Sequence, residues 1–259
     1  MTRVIALANQ KGGVGKTTTA ISLGAALARK RRAVLLLDMD PQGNATASLG
    51  ARAPEGSSTY EVLLGNLALA DAVMATPCEG LSLLPSGSDL AGAEVELAGM
   101  MAREFRLKRA IEGALESYAF VFVDCPPSMG LLTVNALTAV QEVIVPVQCE
   151  YLALEGLGQL MSTLELVRRN LNPELRIGGL LLTMYDRRTK LSEQVAAEVR
   201  SNFANTFRTV IPRSVRLSEA PSHGVPISVY DPSSGAAYAY DALADEVLKM
   251  SNVKAGVIT

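Results

Sequence analysis

Short apolar runs rich in Val, Ile and Leu recur along the chain and are bounded by turn residues. They lie at Arg3–Ala8, Ala33–Asp38, Leu81–Leu84, Ala119–Asp124, Glu142–Val147 and Ile177–Thr183. Unbroken apolar runs of this length are typical of buried parallel strands. Most are separated by segments with helical periodicity, namely Lys16–Arg29, Ala102–Glu116, Leu152–Asn170 and Leu191–Phe203. This alternation predicts an α/β fold with a doubly wound, mostly parallel sheet flanked by helices.

The segment Ala236–Met250 has an apolar face, because its apolar residues are spaced alternately four and three positions apart. Such a face either packs on the sheet or targets a membrane. The polar face is acidic, with Asp241, Asp245 and Glu246 opposed only by Lys249. A helix that lies on lipid is usually basic, so the pattern favours packing on the sheet.

Composition narrows the class of protein. The 259 residues are 49% hydrophobic, and no Pro, Gly or Ser-rich linker divides them, which predicts one domain over residues 1–259. With 24 basic and 26 acidic residues, the chain has no overall field to attract nucleic acid or lipid. Neither a signal peptide nor a membrane span is evident, and Cys78, Cys125 and Cys149 lack metal-site spacing. We expect a soluble cytoplasmic protein with buried thiols and no membrane partner.

A glycine-rich segment, KGGVGKTT at Lys11–Thr18, follows the first predicted strand and precedes an apolar helix. Glycines let the backbone wrap around phosphate oxygens, and the helix N-terminus offers free N–H groups. The candidate nucleotide-binding residues are Gly12, Gly13, Val14, Gly15, Lys16, Thr17 and Thr18. In this P-loop, Lys16 neutralises the terminal phosphates and Thr17 binds Mg²⁺. The alternative is a glycine turn without a ligand, and the motif departs from the usual form with Gln10 in place of a glycine and a second lysine, Lys11.

Acidic residues end two of the predicted strands. Asp124 follows one run and is the candidate for the magnesium shell, while Asp38 and Asp40 end another run one residue apart. Carboxyl ends of parallel strands meet at one edge of a sheet, where a P-loop protein holds its metal. One acid of the pair can steady magnesium-bound water while the other orients the attacking water. Without the P-loop, helix capping or turn formation would explain Asp38 and Asp40 better.

These motifs, KGGVGKTT, DMDPQGN and DCPPS, resemble those of the deviant Walker A ATPases, in particular the ParA family of chromosome and plasmid partitioning proteins. The similarity spans nearly the whole chain. The stretches 146–156, 183–189 and 211–224 are similar to the small chromosomal branch, which lacks an N-terminal DNA-binding domain.

The resemblance implies particular roles. Lys11 matches the signature lysine that reaches the partner subunit's ATP in a sandwich dimer, and Asp40 matches the acid that positions the hydrolytic water. Lys16, Thr17 and Asp124 match the triphosphate and magnesium residues, with Asp38 in the outer coordination sphere. Adenine is expected near Met184 and Pro212.

DNA binding depends on a local patch. From Arg187 to Arg216 seven basic residues accompany two acidic ones, a local excess of five. A solvated surface explains such a segment equally well. The resemblance places nonspecific double-stranded DNA contacts on Arg188 and Arg216, and an ATP-dependent homodimer doubles the patch.

The expected function is therefore an ATP-dependent DNA-partitioning ATPase, associated with the nucleoid and stimulated by a ParB-type centromere-binding protein. A MinD-like membrane-cycling division-site ATPase is the alternative, against which the acidic C-terminal helix argues. A metabolic enzyme of the superfamily, a reductase iron protein or an ATP-dependent synthetase, is a third class. The cysteine placement and the lack of a separate substrate domain disfavour it.

Overall fold

A central sheet organises the chain in the computed structural model, which describes residues 2–150 and 153–255. Its strands are β1 (Arg3–Leu7), β2 (Val34–Asp38), β3 (Met74–Ala75), β4 (Leu81–Leu84), β5 (Phe120–Asp124), β6 (Glu142–Gln148), β7 (Arg176–Tyr185) and β8 (Thr206–Pro212). Their order is β3-β4-β2-β5-β1-β6-β7-β8, and only β3 runs antiparallel to its neighbour. The predicted doubly wound, mostly parallel sheet is confirmed.

Helices cover both faces of the sheet. Within the described residues they are α1 (Lys16–Arg29), α2 (Asn44–Ser48), α3 (Thr59–Leu64), α4 (Leu69–Ala72), α5 (Leu90–Ala98), α6 (Arg106–Ile111), α7 (Leu131–Ala139), α8 (Ala153–Asn170), α9 (Lys190–Asn202), α10 (Val215–Glu219), α11 (Ile227–Tyr230) and α12 (Gly235–Ala255). Leu152, the predicted first residue of the α8 segment, lies outside the described residues.

The core forms two layers because neighbouring side chains of a strand point to opposite faces. In β1, Val4 and Ala6 pack beneath α5 to α9, whereas Ile5 and Leu7 pack beneath α1 and α12. Both faces are apolar, so β2 and β5 are buried throughout, and β1 and β6 at all but one residue each. This explains the unbroken hydrophobic runs in the sequence.

Two expectations about secondary structure were wrong. The segment Ala102–Glu116 was expected to be one helix, but it forms a 3₁₀ turn at Arg103–Phe105 and then α6, which ends at Ile111. Gly113 has a φ of 72°, in the left-handed region, which prevents the helix from continuing. The strands β3 and β8 were also not expected, because β3 has two residues and β8 is a partly exposed edge strand.

The C-terminal helix α12 packs on the sheet, as its pattern predicts. Its apolar residues Ala236, Tyr240, Leu243 and Val247 are buried against α1 and β8. Within residues 2–150 and 153–255, no helix has both the length and the apolar character needed to span a membrane.

The acidic face of α12 also has structural partners. Asp241 lies 3.6 Å from Arg29 and Asp245 lies 2.8 Å from Lys30, at the end of α1. Glu246 accepts hydrogen bonds from the backbone N–H groups of Arg208 and Thr209 in the edge strand β8. The basic end of α1 therefore contacts the acidic face of α12 through two partly exposed ion pairs.

The buried face of α12 gives a test of this packing. Leu243→Ala should lower the free energy of unfolding by about 2–5 kcal/mol, because Leu243 is fully buried and its truncation opens a cavity. The control Tyr238→Ala alters a side chain of the same helix that is 62% exposed, and should change stability by less than about 0.5 kcal/mol. Urea denaturation followed by circular dichroism measures both. Equal losses in the two variants would contradict the packing described here.

Candidate functional site

The loop between β1 and α1 has the backbone geometry of a phosphate cradle. Gly13 has a φ of 73° and Gly15 a φ of 90°, in the left-handed region that residues with a side chain rarely adopt. Gly15 is the N-cap of α1 and provides no side chain to satisfy the first N–H groups of that helix. These N–H groups and the positive end of the helix dipole are therefore available to an anion.

Two polar side chains attach this loop to the neighbouring strands. Asn9 donates to the Pro146 carbonyl at 2.7 Å and accepts from the Lys11 N–H at 3.0 Å. Thr183, near the end of β7, donates from its hydroxyl to the Val14 carbonyl at 2.9 Å. The sequence interpretation missed both residues, although Asn9 directly follows the first predicted strand.

The two lysines of the loop occupy different environments. Lys16 is 7% exposed, and its ammonium group donates to the Lys11 carbonyl at 3.2 Å. Burial lowers the pKa of Lys16, while the nearby Asp124 acts in the opposite direction. Lys11, in contrast, is exposed. Lys16 is thus directed inward and Lys11 is accessible from outside the subunit.

Asp124 is a buried carboxylate without a hydrogen-bond partner. Among buried side-chain atoms of the described residues, only its two oxygens and the Ser228 hydroxyl lack one. Burial and then the neighbouring Asp38 raise the pKa of Asp124 well above its usual range. The Thr17 hydroxyl lies near and lowers this pKa, although the pair does not meet hydrogen-bond geometry.

The Asp124 environment fits a hydrated divalent cation. A buried carboxylate is costly unless it is paired or coordinates a metal. Mg²⁺ takes oxygen ligands and keeps several waters, so one hydroxyl and one carboxylate are a sufficient protein contribution. Thr17 and Asp124 provide these groups, and the two side chains interact with each other. The described residues contain no cluster of three or more His, Cys, Asp or Glu side chains arranged to hold a metal.

Asp38 lies beside Asp124, since the two residues pair in the register of β2 and β5. Its Oδ2 accepts from the N–H and hydroxyl of Thr46 at 2.8 Å and 2.7 Å, and its Oδ1 accepts from the Asp40 N–H at 3.2 Å. Burial raises the pKa of Asp38 to about 6, and the Thr46 hydrogen bonds oppose this shift. Asp38 therefore holds the start of α2 in place, and its role toward magnesium stays a prediction.

Asp40 is positioned by the same network. The Ser86 hydroxyl donates to the Asp40 carbonyl at 2.8 Å, and the Thr46 hydroxyl accepts from the Ser86 N–H at 2.9 Å. Asp40 lines a cleft of about 340 Å³ together with Lys16 and Thr17. One predicted residue each for phosphate, magnesium and water positioning, namely Lys16, Thr17 and Asp40, therefore lines this cleft. Asp124 and Asp38 are not among its lining residues, although Asp124 interacts with Lys16 and Thr17.

A second pocket of about 390 Å³ adjoins this cleft. Gly15, Thr18 and Met184 line both the cleft and the pocket. Pro212 lines the pocket but not the cleft. Met184 has a φ of 52°, which is unusual for a residue with a side chain, and the β7–β8 register shifts between Leu182 and Tyr185. Strained backbone of this kind concentrates at binding sites. The two predicted adenine contacts, Met184 and Pro212, therefore line one pocket next to the phosphate loop.

The two predicted DNA-binding arginines are exposed, and both form ion pairs. Arg188 makes a two-pronged contact with Asp186, and Arg216 lies 2.9 Å from Glu219 and 3.6 Å from Asp231. All three acids lie outside the segment from residue 187 to residue 216. The local excess of five positive charges therefore overstates the charge that is free on this surface.

The three cysteines are free and buried, as expected. Burial raises the pKa of the Cys149 thiol to about 11. It raises the pKa of Cys125, next to Asp124, further still. These thiols belong to the apolar core.

A parallel sheet, a glycine-rich loop before a helix and acids at the adjoining strand ends together define a P-loop nucleoside triphosphatase. A family profile described as an AAA domain matches residues 2–177. The chain is 53% identical over 249 residues to the sporulation initiation inhibitor protein Soj of Bacillus subtilis, covering 95% of this chain and 98% of Soj. It is 52% identical over 250 residues to the chromosome partitioning protein ParA of Caulobacter vibrioides, covering 95% and 94%. The chain belongs to the Soj/ParA family of chromosome-partitioning ATPases.

A solved structure from Mycobacterium smegmatis shares this architecture. It is named cobyrinic acid a,c-diamide synthase and contains ADP and magnesium. Its TM-score to this chain is 0.85 at 44% identity, covering 97% of this chain and 96% of that one.

The network around Asp38 gives a test of how Asp40 is positioned. Thr46→Val removes a hydroxyl that donates to Asp38 and accepts from the Ser86 N–H, and should cost about 1–3 kcal/mol of stability. ATP turnover should fall more than ATP affinity, because the Asp40 loop shifts while the phosphate loop is unchanged. Urea denaturation, calorimetry and phosphate release measure these quantities. Thr46→Ser retains the hydroxyl and serves as the control, and the network assignment is wrong if both variants behave alike.

Proposed function

We propose that the cleft binds magnesium-ATP. The observation that carries this proposal is the buried Asp124 carboxylate, which has no hydrogen-bond partner and lies next to Thr17 and Lys16. Thr17 and Asp124 hold the magnesium ion, which neutralises charge on the phosphates when bound. Lys16 and the N–H groups from Gly12 to Thr18 bind the phosphate oxygens. The ADP and magnesium in the M. smegmatis structure, at 44% identity, support this assignment.

Adenine then occupies the pocket next to the phosphate cleft. Met184 lines both the phosphate cleft and the adjoining pocket, so one nucleotide can extend from the cleft into the pocket. Pro212 and the aliphatic part of the pocket wall provide an apolar surface for the base. Mainly apolar pockets with a few polar groups are typical of nucleotide sites.

Hydrolysis depends on Asp40. Its carboxylate borders the phosphate cleft, and its backbone is fixed through Ser86. A carboxylate so placed orients the attacking water, the usual contribution of the protein to phosphoryl transfer. Asp38 acts through Asp40 and Thr46, and from the outer coordination sphere it steadies magnesium-bound water.

ATP also promotes a homodimer. Lys11 is exposed, unlike Lys16, and is therefore free to contact a nucleotide held by a second subunit. ATP thereby becomes part of the interface. Dimerisation places two copies of the arginine surface on one particle, which strengthens weak contacts with DNA phosphates.

The cellular role is DNA partition. ATP-bound dimers bind double-stranded DNA without sequence preference, associate with the nucleoid and are released after hydrolysis stimulated by a ParB-type protein. Similarity to partitioning proteins over 95% of the chain supports this role. The apolar face of α12 is covered by α1 and β8, which argues against the MinD-like membrane cycle.

The two lysines can be separated by experiment. Lys11→Ala should retain ATP affinity but prevent ATP-dependent dimers, because Lys11 acts across the interface. Asp40→Ala should bind ATP and dimerise but should not hydrolyse ATP, because no carboxylate then orients the attacking water. Calorimetry, light scattering and phosphate release distinguish these outcomes.

Lys16→Ala is the control for these variants and should lose ATP binding altogether. Normal dimers of Lys11→Ala would contradict the interface role of Lys11. Turnover at the parental rate by Asp40→Ala would exclude Asp40 from hydrolysis.

DNA binding should require both ATP and the arginines. Arg188→Glu and Arg216→Glu should weaken binding to every duplex alike while ATP-dependent dimers still form, because phosphate contacts carry no base information. Each lost contact should reduce the slope of log affinity against log salt by about 0.9, and a symmetric dimer loses two. Fluorescence anisotropy with random duplexes over a salt series, in ATP and in ADP, measures both effects. Equal binding in ATP and ADP would refute the scheme.

A further inference from the structure

An open groove of about 980 Å³ lies between the ends of β7 and β8 and the start of α12. Arg187, Arg188 and Arg213 line it, together with the exposed Tyr238. Within the described residues, the ion pairs include Arg188 but neither Arg187 nor Arg213. The groove therefore combines two unpaired guanidinium groups with a third that is already engaged.

The engaged group is held by a carboxylate in fork geometry. Arg188 donates from Nε to Oδ1 of Asp186 at 2.9 Å and from a terminal nitrogen to Oδ2 at 2.7 Å. Asp186 is fixed in turn, because its Oδ1 also accepts from the Arg188 N–H at 3.0 Å. The Arg188 side chain is 86% exposed, whereas that of Asp186 is 18% exposed. The acid is therefore part of the groove wall, and the arginine can swing away from it.

A phosphate group can replace that carboxylate. Guanidinium binds carboxylate and phosphate through the same pair of parallel hydrogen bonds, so the two anions compete for Arg188. An exposed ion pair is worth little in water, so the exchange is open to a polyanion that Arg187 and Arg213 attract at the same time. Arg216 is likewise paired with acids, but through single contacts to Glu219 and Asp231.

We propose that this groove is a phosphate-docking site for the DNA backbone, and that Asp186 is an internal competitor which DNA must displace from Arg188. This proposal rests on the DNA-binding function proposed above. It adds Arg187 and Arg213 to the contact surface. It also assigns Asp186 to setting the affinity, by holding Arg188 in a paired state when DNA is absent.

The test is a gain of DNA affinity. Asp186→Asn keeps the oxygen that accepts from the Arg188 N–H but removes the charge, so Arg188 becomes free. Affinity of the ATP-bound full-length protein for random duplex DNA should rise about two- to five-fold per subunit, or about four- to 25-fold for a symmetric dimer. The affinity is measured by fluorescence anisotropy at constant salt. Arg213→Ala and Arg187→Ala should each weaken binding.

A matched control separates this exchange from a general change in charge. Glu193→Gln removes one negative charge from the neighbouring helix α9, where Glu193 is exposed and forms no ion pair among the described residues. It should raise affinity less than Asp186→Asn does. In an Arg188→Ala background, Asp186→Asn should give a smaller gain than in the parent protein, because Asp186 then interacts only with Arg213.

The outcomes distinguish the two proposals. Equal gains from Asp186→Asn and Glu193→Gln, or a gain from Asp186→Asn that is undiminished without Arg188, would overturn the exchange while leaving ATP-dependent DNA binding intact. A parent protein that binds no DNA in ATP would remove both proposals. Asp186→Ser, which also forms turns, checks that the gain follows from the lost charge and not from a changed loop.

Discussion

Parallel strands end at one edge of the sheet, and this constraint places two buried carboxylates side by side behind the phosphate loop. Asp38 ends β2, Asp124 ends β5, and the two residues are register partners. Like charges in a buried site are unfavourable unless other groups stabilise them. Donors from Thr46 and Asp40 satisfy Asp38, whereas Asp124 has the Lys16 charge nearby and no hydrogen bond. The fold thereby places a buried carboxylate without a hydrogen bond, Asp124, where a bound magnesium ion can offset the free-energy cost of burying its charge.

The chemistry-bearing residues of the site were predictable because their signals are local. A glycine-rich loop, a lysine and a threonine occupy adjacent positions, and each acid directly ends an apolar run. The supporting residues were not predictable in this way, since their partners lie far along the chain. Asn9 bonds a residue 137 positions away, Thr183 one 169 positions away, and Ser86 one 46 positions away. Only the folded sheet brings these residues into contact.

The fold was predictable to the extent that burial was complete. Six central strands were located from unbroken apolar runs, because both faces of a central parallel strand are covered by helices. The edge strand β8 is partly exposed and carries Arg208, so its pattern lacks that signal. Counting charges along the sequence had a similar limit. The segment from residue 187 to residue 216 excludes Asp186 and Glu219, which pair with Arg188 and Arg216 inside it.

The ends of β7 and β8 serve the nucleotide pocket and the arginine groove together. Met184 lines the pocket and lies two residues before Asp186 in the groove, while Pro212, Arg213 and Val215 line both. The strained backbone at Met184 lies within this shared segment. Ligands bound to the two spaces therefore contact the same strand ends. Coupling between two binding sites is reciprocal. If a bound nucleotide changes the affinity of the groove for DNA through this segment, bound DNA must change the affinity of the pocket for the nucleotide by the same factor.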